Sequence, residues 1–176
     1  MSTAEKLFSF QGRMRRRDWW VLLLILIVVD LVLSSIGMAV LGGTMMPFTM
    51  GVRGGSFDLS DWMAKRTEVQ IVISLITLWP MLAIGVKRLH DRGRSGWWFV
   101  LLCALSFAQQ CLSFASSSRG LSMFAFRPTL ALLIFGLATL IIGVWLLIEM
   151  GFLDGTPGSN RFGPSPKGLG EPAAAI

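Results

Sequence analysis

The sequence has little charge, few cysteines and a single histidine. Charged residues make up 15% of the 176 residues and hydrophobic residues 53%, which leaves too little charge to cover the surface of a water-soluble domain of this length. The two cysteines, Cys103 and Cys111, lie in one apolar segment, about 12 Å apart along a helix, so they cannot form a disulfide with each other. No spacing of cysteine, histidine or carboxylate residues resembles a metal-ligand cluster. The sequence therefore excludes a typical soluble domain, and we expect neither a metal nor another cofactor.

Long apolar runs take the place of a soluble core. They cover residues 19–41, 69–86, 97–115 and 128–150, and each is close to the roughly 20 residues that a helix needs to cross a bilayer. The predicted fold class is therefore all-α, a polytopic membrane protein with a bundle of four transmembrane helices. The first run follows a basic segment, as in a signal peptide, but it is too long and lacks a small-residue cleavage site, so we expect it to be retained. Pro80 in the second run indicates either a hinge or a static kink.

The runs divide the chain into three regions. Residues 1–18 form an N-terminal segment, residues 19–150 the membrane domain, and residues 151–176 a tail rich in proline and glycine. Within the membrane domain, a glycine-rich connection over 42–68 is predicted to end in a short polar helix that begins near Ser60, a residue type that caps helix N-termini.

The distribution of basic residues predicts the orientation of the bundle. With four spans, eleven of the 16 lysines and arginines fall on one side of the membrane, and the positive-inside rule places that side, with both termini, in the cytoplasm. The net charge of +6 does not indicate a nucleic-acid partner, because the cations are gathered in short clusters at the ends of apolar runs. The eleven are Lys6, Arg13, Arg15, Arg16, Arg17, Lys87, Arg88, Arg92, Arg94, Arg161 and Lys167.

Three motifs share the predicted cytoplasmic side. They read FQGRMRRRDW at 10–19, KRLHDRGRSGWW at 87–98 and GSNRFGPSP at 158–166. In combination they resemble the bacterial inner-membrane family DUF805, the YhaH-like proteins of unknown function, and the resemblance spans nearly the whole chain. It implies a multi-pass protein of the bacterial plasma (inner) membrane and supplies no reaction or ligand. The chain departs from the arginine, tyrosine and aspartate common in that family at Lys87, Phe162 and Ser165.

The second motif, together with the first, indicates an anion-binding site. Guanidinium groups bind phosphate through paired N–H groups, and Gly93 and Gly96 leave backbone N–H groups open near the start of the third span, where the helix dipole also favours an anion. We therefore predict a site for phosphate or lipid headgroups, with anionic membrane lipids as the partners. The alternative is that these cations only fix the topology, with Ser95 as an ordinary N-cap. The predicted site consists of Arg13, Arg16, Arg88, His90, Arg92 and Arg94.

The adjacent His90 and Asp91 resemble part of a catalytic arrangement, because histidine transfers protons readily near neutral pH. Neighbours in sequence do not face each other on a helix, however, and no nucleophile or further acid is placed beside His90 by spacing. We therefore expect no catalytic residue and no enzymatic activity, with lipid-headgroup chemistry at His90 as the remaining enzymatic alternative. Asp91 is expected to pair with Arg13, Arg16 or Arg161 and so to hold the three motifs together. Structural roles are assigned to Asp91, Asn160 and Arg161.

Asp30 is the acidic residue within the first apolar run, about 16 Å from its start and so near the membrane midplane. An ionised carboxylate there costs on the order of 3 kcal/mol, so Asp30 should face the bundle. Ser34 and Gly37 share its helix face, and further residues at helical spacing complete a predicted polar seam. The seam is either a path for a proton or solute or a contact that pins the helices, and the absence of an intramembrane lysine, arginine or histidine favours the structural role. Its other members are Cys103, Ser106, Gln110, Ser113, Gly136, Thr139 and Gly143.

The leading functional expectation is a non-enzymatic membrane component that binds anionic lipid or a partner protein through the basic cluster, with a homo-oligomer as a further form of partner. The alternative is a small transporter or channel subunit that uses Asp30 and the polar seam. Both expectations rest on the placement of charge, because no motif of known activity is present.

Overall fold

The computed structural model describes residues 3–41, 59–118 and 126–167, and helices are the regular secondary structure in these ranges. A short helix precedes four long ones, and a π-helical turn continues the last of them. This arrangement confirms the predicted all-α class. In chain order the elements are α1 (Thr3–Phe8), α2 (Arg16–Val40), α3 (Leu59–Asp91), α4 (Trp97–Ser118), α5 (Phe126–Leu147) and the π-helical turn (Ile148–Phe152).

The four long helices have the length and composition of membrane spans. Their outer surfaces consist of large apolar side chains; Leu140, for example, is 60% exposed. In water these helices would expose far more contiguous apolar surface than soluble proteins tolerate. The protein is therefore a four-helix membrane bundle, as the apolar runs predict. Within the described residues, the segments long and apolar enough to cross a membrane are Arg16–Val40, Trp62–Asp91, Trp97–Ala115 and Leu130–Phe152.

Helix α3 is longer than the second apolar run. It begins at Leu59, so the short polar helix predicted near Ser60 and the apolar run form one helix of 33 residues, about 50 Å long. Pro80 lies inside this helix. The remainder of the predicted connection, residues 42–58, and the tail beyond residue 167 lie outside the described residues, so the expectations for them stay predictions.

The helices pack in chain order, with α2 and α4 on either side of α3 and with α5 against α4. Helix α1 packs against α3, and the π-helical turn contacts α2 and α3. One end of the bundle holds residues 9–15, the turn over 92–96 and the segment 153–167. This end, which also carries most of the described arginines, is called the basic end below.

Glycines allow α3 and α4 to approach each other at the basic end. A Cβ on Gly85 would overlap the Phe99 ring, and one on Gly96 would lie 2.8 Å from Cγ1 of Val86. Gly93 has a φ of +70°, a left-handed conformation that glycine adopts without strain, and it turns the chain from α3 towards α4. The buried apolar cluster behind this end consists of Met14, Trp19, Leu22, Leu26, Ile84, Leu89, Phe99, Leu146 and Met150.

Candidate functional site

Asp91 ends α3 and lies at the centre of the basic end. One carboxylate oxygen accepts a hydrogen bond from Nε of Arg13 at 3.0 Å, and the other accepts one from Nη1 of Arg88 at 2.5 Å. The exposed fraction of the side chain is 3% for Asp91 and 1% for each arginine. A buried carboxylate is stable only when it is paired and hydrogen-bonded, and two guanidinium groups meet that requirement here. The expected pairing of Asp91 with Arg13 is therefore present, and Arg88 joins it.

Arg13 connects the segment 153–167 to α3. Its guanidinium donates to the carbonyl oxygens of Thr156 at 2.5 Å and Gly158 at 2.6 Å, while the Thr156 N–H donates to the carbonyl of Asp91 at 2.9 Å. The segment passes so close to Asp91 that a Cβ on Gly155 would overlap its carboxylate. Glycine is therefore required at that position for this path of the chain.

Arg88 connects α3 to the end of the last span. It donates from Nε to the carbonyl of Met150 at 2.7 Å and from Nη2 to that of Leu153 at 2.6 Å. Carbonyl groups at a helix end lack intrahelical partners, and here the Arg88 guanidinium donates hydrogen bonds to them. The three side chains Arg13, Arg88 and Asp91, with the carbonyls that they hold, are called the arginine clamp below.

The third motif folds back onto the last turn of α3. Asn160 donates to the carbonyl of His90 at 3.0 Å and accepts from the Phe162 N–H at 2.9 Å. The Phe162 ring stacks on the His90 imidazole, with ring centroids 3.8 Å apart and planes 6° from parallel. Arg161 lies with its guanidinium carbon 4.6 Å from the centroid of the Phe162 ring, a cation–π distance. Both contacts are made by the faces of the Phe162 ring. They therefore do not require the hydroxyl group of the tyrosine that the resemblance to DUF805 leads one to expect at this position.

His90 lacks an acid–base partner among the described residues. The adjacent carboxylate of Asp91 is held by two arginines. The imidazole of His90 hydrogen-bonds to the backbone of Gly12, and its buried Nδ1 has no hydrogen bond within the described part of the chain. Acid–base or nucleophilic catalysis uses an imidazole that is oriented by one group and aimed at another. The geometry gives His90 a packing role against Phe162.

Glu149, which the sequence analysis did not single out, supplies a second buried carboxylate. Its side chain is 6% exposed, and its Oε1 lies 2.5 Å from Nε of Arg94 and 3.3 Å from Nη2 of Arg92. Glu149 therefore pairs with two of the arginines, Arg92 and Arg94, that the sequence assigns to an external anion. An acid at the end of an apolar run, on the same side as an Arg-x-Arg motif, is the signal that would have identified it.

Lys87 is a second residue whose role the sequence analysis missed. It is fully buried, and its Nζ donates to the carbonyls of Glu5 at 2.8 Å and Lys6 at 2.5 Å. These carbonyls belong to α1, whose six residues are too few to form a stable helix alone. Lys87 therefore holds α1 against α3.

Arg16 is the exposed member of the predicted anion site on the first motif. Its side chain is 45% exposed, and its Nη1 donates to the carbonyl of Phe152 at 2.9 Å. Nearby, Lys167 donates to Asp154 at 3.2 Å, and this hydrogen bond with its charge holds the pKa of the Asp154 carboxyl below its usual value. The structure thus brings the predicted cations to one end of the bundle but distributes them over two internal carboxylates and several carbonyls, not around one open site.

A groove runs between α1 and the start of α2. Its first part, beside residues 162–166, has a volume of about 530 Å³, and its second part, along α2, about 400 Å³. Both parts share three lining residues, so we treat them as one feature, the α1–α2 groove. Within it Lys6 pairs with Asp18 at 2.7 Å. The second part is lined by Lys6, Arg15, Arg17, Asp18, Val21, Leu22 and Ile25.

The polar seam lies in the other half of the bundle, but some of its residues differ from those that the sequence predicts. Asp30 accepts a hydrogen bond from Nε2 of Gln70 at 3.1 Å, which links α2 to α3. Ser74 donates to Oε1 of Gln110 at 3.2 Å, which links α3 to α4. Cys103 is not part of the seam and packs against the apolar cluster instead. Gln70 was not predicted, although its spacing of four residues from Ser74 places both on one face of α3.

An arginine from the segment before the second apolar run also lines the seam. Arg66, Asp30, Ser34 and Gln70 line a cavity of about 60 Å³ between α2 and α3. Arg66 lies in the short polar helix predicted near Ser60, which α3 continues without a break into the span.

The comparisons with known proteins agree with this architecture. Residues 7–164 match the family described as "Protein of unknown function (DUF805)". In Escherichia coli strain K12, the relative called "Uncharacterized protein YiiR" is 30% identical over 164 residues, which cover 93% of this chain and 89% of the relative. "Inner membrane protein YhaH" is 25% identical over 161 residues, covering 90% and 88%, and "Inner membrane protein YhaI" is 26% identical over 168 residues, covering 95% and 93%. No solved structure matches the chain. The chain therefore belongs to the DUF805 family of membrane proteins.

Proposed function

We propose that the protein is a non-enzymatic membrane component whose basic end faces the cytoplasm and binds anionic phospholipid in the α1–α2 groove. The observation that carries the proposal is the lining of the groove, which is basic at the level of α1 and apolar along α2. A phospholipid has the same division, with a charged phosphate at the membrane surface and acyl chains below it. The excess of basic residues at this end and the positive-inside rule support the orientation.

The charges of the groove suit a phosphate. In the second part of the groove Lys6, Arg15 and Arg17 outnumber the one acidic residue, Asp18, so its lining has a net positive charge. Arg17 is exposed and keeps its guanidinium accessible. Arg15 is also exposed and donates from Nε and Nη2 to the carbonyl of Pro166, which leaves its third nitrogen, Nη1, for a phosphate. Arginine binds phosphate through paired N–H groups.

The apolar part of the groove suits an acyl chain. Val21 is 49% exposed and Ile25 51% exposed, and they follow the basic residues along one face of α2 at a spacing of four residues. An acyl chain on this face would keep its headgroup beside Arg15 and Arg17. The proposal therefore assigns phosphate binding to Arg15 and Arg17 and not to Arg13 and Arg88, whose guanidinium groups are buried in the clamp.

Lipid analysis of the purified protein tests this proposal. Arg15→Gln with Arg17→Gln removes two charges from the groove, and Arg161→Gln with Lys167→Gln removes two exposed charges from the same end outside it. Because each cation near a membrane surface contributes about 1 kcal/mol to binding anionic lipid, and 1.4 kcal/mol corresponds to a factor of ten, we expect the groove variant, which lacks two cations, to retain about thirtyfold less anionic phospholipid than the wild type, measured by mass spectrometry. The matched control should stay close to the wild type. Equal retention by both variants would show that the attraction is general to the basic end and that the groove is not a site.

A further inference from the structure

The half of the bundle away from the basic end contains a polar cavity between α3 and α4. Its volume is about 490 Å³, within the range of small-molecule sites. Polar side chains are costly in the hydrocarbon region unless they face protein, water or a ligand, yet they form most of this lining. The lining residues are Trp62, Met63, Arg66, Thr67, Gln70, Ser106, Gln109, Gln110 and Ser113.

The depth of the cavity places its charge near one membrane boundary. Arg66 precedes Lys87 by 21 residues along α3, a rise of about 31 Å, which is close to the thickness of the hydrocarbon core. Ser106 and Gln110 lie about 14 to 20 Å along α4 from Trp97 and therefore within the core. The cavity thus extends from a cation at the boundary to amide and hydroxyl groups inside the membrane.

One hydrogen bond orients the first amide of the cavity. Asp30 offers only acceptors when ionised, so Gln70 turns its Nε2 towards it and keeps its Oε1 as an acceptor on another side. The Ser74 hydroxyl, which has one proton, lies 2.9 Å from the carbonyl oxygen of Ile71 and 3.2 Å from Oε1 of Gln110, so it holds the second amide, that of Gln110, at the cavity wall. The cavity therefore combines one cation, an oriented acceptor and a second amide.

The smaller cavity on the other side of Gln70 supports the same interpretation. It shares Arg66 and Gln70 with the larger one, so the two lie against the same pair of side chains. Ser34 lines it, is 8% exposed, and has a hydroxyl without a hydrogen-bond partner among the described residues. A buried hydroxyl without such a partner indicates that a polar group outside the described residues hydrogen-bonds to it.

We infer that the cavity between α3 and α4 binds a small, water-soluble, hydroxylated carboxylate. Arg66 pairs with the carboxylate at the mouth, Gln70 accepts from a hydroxyl group, and the amide of Gln110 hydrogen-bonds to the same molecule. An acyl chain would leave these amides without partners, which is costly in a membrane, and among the described residues the lining has no acidic side chain that would attract a free cation. The inference is independent of the lipid site proposed above, because the two lie at different ends of the bundle.

Thermal unfolding in nanodiscs of a neutral, zwitterionic lipid tests the inference. The probes are lactate, tartrate, gluconate and glucuronate as sodium salts, with glucose as the probe that has hydroxyl groups but no carboxylate. We expect at least one of the acids to raise the unfolding temperature of the wild type in a saturable manner and glucose to leave it unchanged. If none of the four acids raises it, the inference is wrong.

Two variants separate a bound acid from a general effect of charge. Arg66→Gln should weaken binding of the acid by about tenfold or more, the loss expected for a charge-assisted pair, whereas Lys65→Gln, one residue away and not on the cavity lining, should bind as the wild type does. Gln110→Leu should weaken binding of the acid as well. An equal effect of the acid on the wild type and on Arg66→Gln would overturn the assignment. A dimer that is detected by native mass spectrometry and that Gln110→Leu dissociates would also overturn it, because a second copy of the protein would then fill the cavity.

Discussion

At the scale of single residues, Asp91 is the most constrained charge that the structure describes. Each of its oxygens receives an arginine donor, and all three side chains are buried. Asp91→Asn removes the negative charge and leaves two buried guanidinium groups without a counter-charge. Removing one partner of a buried ion pair typically costs about 3 to 5 kcal/mol, so we expect Asp91→Asn to lower the free energy of unfolding by about 3 kcal/mol, measured by thermal or denaturant unfolding in detergent.

Asp154→Asn is the matched control for this substitution. Asp154 also contacts a lysine and an arginine, but its side chain is 64% exposed, and exposed ion pairs contribute little. We expect Asp154→Asn to have nearly the same free energy of unfolding as the wild type. If Asp91→Asn did the same, the clamp would not stabilise the fold.

At the scale of elements, α1 is held by a buried lysine together with other polar contacts. Lys87 donates to the carbonyls of Glu5 and Lys6. In addition, Trp79 of α3 donates to the carbonyl of Phe8 at 3.2 Å, and Lys6 pairs with Asp18.

Lys87→Met keeps the apolar stem but removes its donors. We expect α1 to loosen from α3, seen as faster hydrogen exchange of residues 3–8, while the membrane spans exchange as before. Lys87→Arg, which keeps a cationic donor, should keep the protection of α1. Unchanged exchange in Lys87→Met would show that the remaining contacts hold α1 without the lysine.

The elements also show what the sequence can predict. The spans were predictable because a bilayer requires long apolar runs, and the membership of the basic end was predictable because charge placement sorts segments to one side. The individual partners were not, since Glu149 meets Arg94 only after α4 and α5 have packed side by side. The role of Arg66 was missed for a similar reason: the short polar helix predicted near Ser60 includes it, but only the packing of α3 against α2 brings it to the same cavity as Asp30.

At the scale of the whole molecule, the two ends of the bundle differ in how their polar groups are used. At the basic end the buried charges are paired within the chain, and the clamp joins segments that are distant in sequence. At the other end the polar seam makes two hydrogen bonds between helices and borders cavities. A rigid end that fixes the helices and a more open end that holds space for a ligand are consistent with both proposals.

The clamp itself makes a prediction about topology. Arg13, Asp91 and Thr156 are in contact, so the segments that carry them lie on one side of the membrane, and two spans separate each from the next. In a variant without native cysteines, Ser95→Cys and Ser165→Cys should therefore react with a membrane-impermeant maleimide only in inside-out vesicles. Ser122→Cys, in the connection between α4 and α5, should react in intact cells.

Each other pattern of labelling has a distinct meaning. Labelling of both Ser95→Cys and Ser165→Cys in intact cells would place the basic end outside and contradict the proposed orientation, and with it the binding of inner-leaflet anionic lipid there. Labelling of these two positions from different sides would contradict the clamp, because Asp91 could not then bind Arg13 while Arg13 binds the carbonyl of Thr156. The ion pairs of the arginine clamp therefore require that the three segments share one side of the membrane. The cavity at the other end does not depend on which side the basic end faces.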